Sequence, residues 1–192
     1  MARTKNFNRE EALQRALQLF WCKGYHATSM QDLVDHMQIN RSSLYDTFGD
    51  KRTVFLEALK QYQQQTTQAL INRFNESKDL KATVKSVFET ILKEITSCST
   101  TNGCFMVNAS IEMASFDPEV DRIIRENNMA TQEAIYEALK KARHSGELNS
   151  GNDPMALSCF IMNTISGMRV AARTSVDRSY YENVIQIALN AL

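Results

Sequence analysis

Proline and glycine are scarce in this chain, two and six among 192 residues. So few breakers cannot punctuate a many-stranded fold. Apolar residues recur instead at three- and four-residue spacing, which predicts an all-α protein. The four cysteines, Cys22, Cys98, Cys104 and Cys159, form no CxxC pair, so the sequence indicates neither a zinc site nor a disulfide framework. No uninterrupted apolar run approaches the roughly 18 residues of a membrane span, and the polar start MARTKNFNREE is unlike a signal peptide. A cytoplasmic protein without a membrane partner is expected. There is no Gly-rich phosphate loop, the three histidines are scattered, and no His/Asp/Glu cluster has metal-ligand spacing, so no enzyme, metal or cofactor is expected.

Net charge is absent too, with 22 Lys and Arg against 22 Asp and Glu, which at first argues against a nucleic-acid partner. The distribution softens this: residues 1–60 hold nine cations and seven anions, and residues 61–192 hold thirteen and fifteen. A mildly basic head precedes a mildly acidic body.

Nine helices are predicted. Helix 1 spans Arg9–Lys23, with Gly24 as its stop. Helix 2, capped by Thr28 or Ser29, turns Met30, Leu33, Val34 and Met37 inward. Helix 3, Arg41–Phe48, is capped by Asn40 and ended by Gly49. Helix 4 starts after Asp50 and runs towards Phe74. A break at residues 75–79 precedes helix 5, with Leu80, Val84, Val87, Phe88, Ile91, Leu92 and Ile95 on one stripe. The polar run SCSTTNG (97–103) is a loop, and helix 6 begins near Gly103. Asp117-Pro118 and Asp153-Pro154 each pair an N-cap with proline at the first helical position and open helices 7 and 8. Asp177 caps helix 9. The expected division is 1–52 and 53–192.

Gln38, Ile39 and Asn40 alone join helices 2 and 3, a helix-turn-helix spacing. Helix 3 buries Leu44 and Phe48 and leaves a polar face outside. Arg41 can fork onto a guanine edge or a phosphate. Ser42, Ser43 and Thr47 are short enough to let a helix enter a groove, and Tyr45 reaches a phosphate through its hydroxyl. Lys51 and Arg52 sit at a helix N-terminus, and Arg3 and Lys5 lie in the preceding arm. On periodicity alone the segment is either a DNA-binding unit or a helical protein-interaction module with a solvated face.

The stretch TSMQDLVDHMQINRSSLYDTFGDKRTVFLEAL resembles the signature of the TetR/AcrR family of bacterial transcriptional repressors. Thr28, Asp32-Leu33, Leu44-Tyr45, Phe48 and Lys51 match its pattern, Asn40 replaces the capping Ser, and Gln38 stands where the family usually has Gly. The resemblance implies that Thr28, Tyr45 and Lys51 bind phosphates, while Arg41, Ser42, Ser43 and Thr47 read bases of a palindromic double-stranded DNA operator. It also implies a C-terminal body that binds a small effector, apolar or electrophilic, among helices 4 to 8. The family forms homodimers through its last two helices. In this chain helix 8 (PMALSCFIMNTISGMRVAAR) is apolar on most sides with small residues at Ser158, Ser166, Gly167, Ala171 and Ala172, and helix 9 adds further apolar residues, which suits that role.

The segment GCFMVNASIEM (103–113) resembles one found in a branch of these regulators. Candidate pocket residues are Cys104, Phe105, Met106, Asn108, Glu112, Met129, Tyr136, Met162 and Met168, each of which would serve equally well as core. Some relatives in this branch sense electrophiles or oxidants through a cysteine placed as Cys104 is, with Cys98 six residues away; a buried structural cysteine is the alternative.

Overall fold

The computed structural model describes residues 7–97, 102–149, 151–174 and 177–192, and every regular element within them is helical. The described residues form nine helices: α1 (Arg9–Lys23), α2 (Met30–Met37), α3 (Arg41–Phe48), α4, α5 (Leu80–Ser97), α6 (Phe105–Met113), α7 (Pro118–Ser145), α8 (Pro154–Ala171) and α9 (Arg178–Asn190). The fourth is one continuous rod made of Lys51–Tyr62, a π turn at Gln63–Thr67, and Gln68–Asn75. Periodicity gave no sign of the π turn, a feature that often marks a functional site. Cys98 falls outside the described residues, as do Arg3 and Lys5 of the arm.

Local chemistry sets the helix ends. Ser29, not Thr28, caps α2 through a reciprocal capping box with Asp32. Lys23 Nζ lies 2.7 Å from the same carboxylate, and this bond holds the Asp32 carboxyl well below the usual range. The Asn40 and Asp50 side chains accept from Ser43 N–H and Thr53 N–H, capping α3 and α4. Asp117 and Asp153 cap α7 and α8 ahead of their prolines as expected, whereas the Asp177 side chain makes no capping bond.

Two hydrophobic cores form. One joins α1–α4 to α6 and the first turns of α7, centred on Phe20, Leu33, Leu44, Phe55 and Phe105. The other joins the end of α4 to α5, α7, α8 and α9 around Phe74, Phe88, Ile135, Ile161 and Tyr181. Both prolines, the caps and the amphipathic stripes therefore serve a bundle whose first three helices rest on α4 and α6.

Polar contacts secure that seat. Glu112 on α6 accepts from the backbone N–H groups of Tyr25 (2.9 Å) and His26 (2.7 Å). Gly24 makes room for it: a Cβ there would lie 2.9 Å from Glu112 Oε2, on a backbone with φ of 84°. Trp21 Nε1 donates to the carbonyls of Asn102 (3.2 Å) and Gly103 (3.1 Å). Arg52 grips Asp117 with two bonds, Nε to Oδ2 at 2.6 Å and Nη2 to Oδ1 at 2.8 Å.

The Arg52 bond holds the Asp117 carboxyl at about 2, below its ordinary 3.8. A depressed folded-state pKa stabilises fully above about pH 4, and the contribution is lost as pH falls through about 2. Asp117→Asn keeps a competent cap and loses the ion pair. Urea melts at pH 7 should show a loss of about 1–2 kcal/mol, modest because Arg52 is half-exposed. The wild-type advantage should shrink between about pH 4 and about pH 2.

Candidate DNA-binding surface and effector cleft

The join between α2 and α3 is compact because Gln38 adopts the left-handed conformation, φ 57° and ψ 42°. Arg15 on α1 steadies it by donating from Nη1 to Gln38 Oε1 (2.9 Å) and to the Met37 carbonyl (3.3 Å). Ile39 is buried directly after the turn and anchors the approach to α3.

Leu44 and Phe48 are buried beneath α3, which turns the rest of the helix outward. Arg41, Ser42, Tyr45 and Asp46 are exposed on one side, with Ser43 half-buried at its edge. The Arg41 guanidinium carbon sits 6.0 Å from the Tyr45 ring centre, so cation and phenol share one patch. Ser42 Oγ donates to the capping Asn40 Oδ1 at 2.8 Å. Lys51 Nζ rests 4.3 Å above the Tyr25 ring. Burial there lowers the ammonium pKa, opposed by the carboxylates of Glu112 and Asp32.

Three expected contacts stand elsewhere. Thr28 is buried, its hydroxyl donating to the Gly24 carbonyl at 2.6 Å, so its side chain supports the chain before α2. Thr47 is half-buried and its Oγ1 points inward without a partner, away from the outer face of α3. Arg52 is committed to Asp117. His26 and His36 are both exposed.

Residues 12–58 match the family described as bacterial regulatory proteins, tetR family, and residues 80–188 match the tetracyclin repressor-like C-terminal domain. The chain belongs to the TetR family. It is 30% identical over 193 residues, the full length of both chains, to the uncharacterized HTH-type transcriptional regulator YezE of Bacillus subtilis (strain 168). It is 28% identical over 187 residues to the HTH-type transcriptional repressor ComR of Escherichia coli (strain K12), spanning 97% of this chain and 88% of that one. A solved structure of the TetR family regulator CifR, a cysteine mutant complexed with 26-bp double-strand operator DNA, is 26% identical with a TM-score of 0.85 and covers 99% of each chain. This TetR-family protein is a DNA-binding transcriptional regulator and not an enzyme. Among the described residues, no helix is long and apolar enough to cross a membrane.

Its C-terminal body holds a small cleft of about 50 Å³ between the π turn, α6, α7 and α8. Cys104, Met106 and Met162 line it together with Thr66, Thr67, Asn127 and Arg169. Cys104 is buried at the N-cap of α6, its Sγ 3.1 Å from Arg169 Nη1 and 3.5 Å from the Tyr62 hydroxyl. Burial, with Cys104 alongside, pushes the Tyr62 phenol up. A second cleft of about 200 Å³ between α4 and α5 shares Thr66, Leu70 and Arg169 with the first.

The other expected pocket residues lie apart. Phe105 packs edge-on against Phe55 and Tyr62 at 5.6 and 5.7 Å, and Met168 is buried in the C-terminal core. Tyr136 lies under Lys140, and Met129 is 66% exposed. Asn108 and Glu112 face a third cleft bounded by α1, α6 and α8. Sequence reasoning singled out neither Arg169 nor Asn127. The signal that could have found Arg169 is a cation interrupting the apolar run of α8.

The left-handed turn gives a direct test. Gln38→Gly removes a Cβ from a position that costs ordinary residues about 1–2 kcal/mol, and loses only the exposed Arg15 contact. Thermal melts should show unchanged or slightly higher stability for that variant, and a loss above about 1 kcal/mol for the β-branched Gln38→Val.

Proposed function

We propose that this protein represses transcription as a homodimer on a palindromic operator and leaves it when a small molecule occupies the Cys104–Arg169 cleft. The observation that carries the reading is the outward face of α3, where Arg41, Ser42 and Tyr45 are exposed above buried Leu44 and Phe48. The resemblance to CifR with its operator DNA supports the same use of this face. In this reading residues 1–52 bind DNA and residues 53–192 bind the effector and the second subunit. Arg41, Ser42 and Ser43 read bases, and Tyr45 and Lys51 hold phosphates.

The dimer is supported by what α8 and α9 leave uncovered. Met155, Phe160 and Val170 on α8 and Tyr180 and Ile187 on α9 are exposed, Ile187 at 66%. Gly167 sits on that side of α8 with nothing within 4 Å of a built Cβ, so close approach there suits a partner helix and not a neighbour in the same chain. A two-fold axis through these helices sets two copies of α3 for one palindrome.

Release follows from α6. One end, at Cys104, lines the cleft, and the other, at Glu112, holds the backbone at Tyr25 and His26 just before α2. An effector that shifts α6 biases the spacing of the recognition helices, a population shift between two states. An electrophile entering the cleft would meet the Cys104 thiol.

Two measurements test this reading. In operator titrations Arg41→Ala should weaken binding by about 1–3 kcal/mol and relax preference at one base pair, while Lys51→Ala should weaken all sequences alike and lower the salt slope by about 1. Variants that bind like the wild type would favour a protein-interaction module. Diamide or a quinone should release the operator from the wild type but not from Cys104→Ser; equal release from both would remove Cys104 from the mechanism.

A further inference from the structure

The cleft between the π turn, α6, α7 and α8 holds a guanidinium, Arg169, that forms no ion pair among the described residues. Among the described residues, no carboxylate lies within ion-pair distance of Arg169, and its one hydrogen bond runs from Nη1 to the thiol of Cys104. The Glu94 carboxylate acts on it only at longer range, from the neighbouring cleft. A guanidinium offers five donors in a planar fork suited to a carboxylate, and a thiol sulfur is a weak acceptor for one of them. Arg169 is half-buried, and a charge partly withdrawn from water without such a partner is unfavourable.

The α7 wall carries a complementary vacancy in hydrogen bonding. Asn127 is 6% exposed and lines the same cleft, and its Oδ1 has no partner. Its Nδ2 reaches Asn128 Oδ1 at 3.5 Å, and the Thr131 hydroxyl donates to the Asn127 backbone carbonyl, so neither satisfies Oδ1. A buried amide oxygen in this position accepts a donor from whatever fills the space. Arg169 is also the one charged side chain in the lining, which balances a single negative charge and not a phosphate dianion.

Resting on the reading of this cleft as the effector site, we propose that the effector is a small carboxylate bearing a hydrogen-bond donor, its carboxylate paired with Arg169 and its donor with Asn127 Oδ1. The surrounding Met106, Met162 and Ile165 accept its apolar frame.

Calorimetric titration of the full chain, without DNA, tests this with butanoate, hydroxybutanoate, benzoate and hydroxybenzoate, each beside its primary amide, and with inorganic phosphate. At least one acid should bind about tenfold or more tightly than its amide, and the hydroxylated acids more tightly than their parents. Arg169→Gln should erase the preference for acid over amide, and Asn127→Leu the advantage of the hydroxyl. If Arg169→Gln fails to fold, Arg169→Lys keeps the charge without the fork and should reduce the acid preference instead. The proposal is overturned if no acid outbinds its amide, if Arg169→Gln or Arg169→Lys retains the full preference, or if phosphate binds more tightly than every carboxylate. Operator binding by the untreated wild type, measured separately, tests the repressor reading. Carboxylate binding without operator binding would sink that reading alone, and operator binding without carboxylate preference would sink this one alone.

Discussion

Phe55 of α4 meets Phe20 of α1 and Phe105 of α6 edge to face, at 5.1 and 5.6 Å, and the helix-turn-helix depends on that junction. Helices α2 and α3 have eight residues each, below the length at which a helix persists by itself. They bury Leu33, Met37, Leu44 and Phe48, but the core that receives these side chains extends into α6 and the start of α7. The DNA-binding unit is therefore completed by helices of the C-terminal body. Its orientation is bound to theirs, which is what a regulator that transmits an effector's presence needs.

The polar contacts at this seat explain an apparent shortage of charge on the DNA side. Arg52, Lys23 and Arg9 are all engaged internally, with Asp117, Asp32 and Glu57. Lys51 is half-buried over an aromatic ring. Among the described residues the proposed DNA face carries few free cations, and in the proposed reading Arg41, hydroxyls and a phenol make the contacts. An overall charge of zero is compatible with that arrangement, since phosphate contacts come as readily from hydroxyls and backbone N–H groups as from ammonium ions.

Much of this was legible in the chain. Gly24, Gly49 and Gly146, the Asp-Pro pairs, and the stripe of α5 marked helix starts and stops to within a residue or two, because caps and periodicity are local properties. The face of α3 was legible for the same reason: once Leu44 and Phe48 are inside, Arg41, Ser42 and Tyr45 must be outside. Thr28 and Thr47 were expected at the DNA surface and have inward hydroxyls, because a threonine is equally at home inside or outside, and only its neighbours decide. The pocket residues suffered more. Phe105, Met168 and Met129 are all apolar residues on helices, and nothing in their spacing distinguishes core, cleft and open surface.

By itself the sequence determined the helix count, most of the caps, the short turn and the outward face of α3, each set by contacts within a few residues. Tertiary structure alone decided which helices share a core, that Arg52 turns to Asp117 and Glu112 to the backbone at Tyr25 and His26, and that Cys104, Asn127 and Arg169 converge on one cleft. Those partners lie 23 to 87 positions apart, and no local periodicity can register side chains that meet only after α6, α7 and α8 have packed around the π turn of α4.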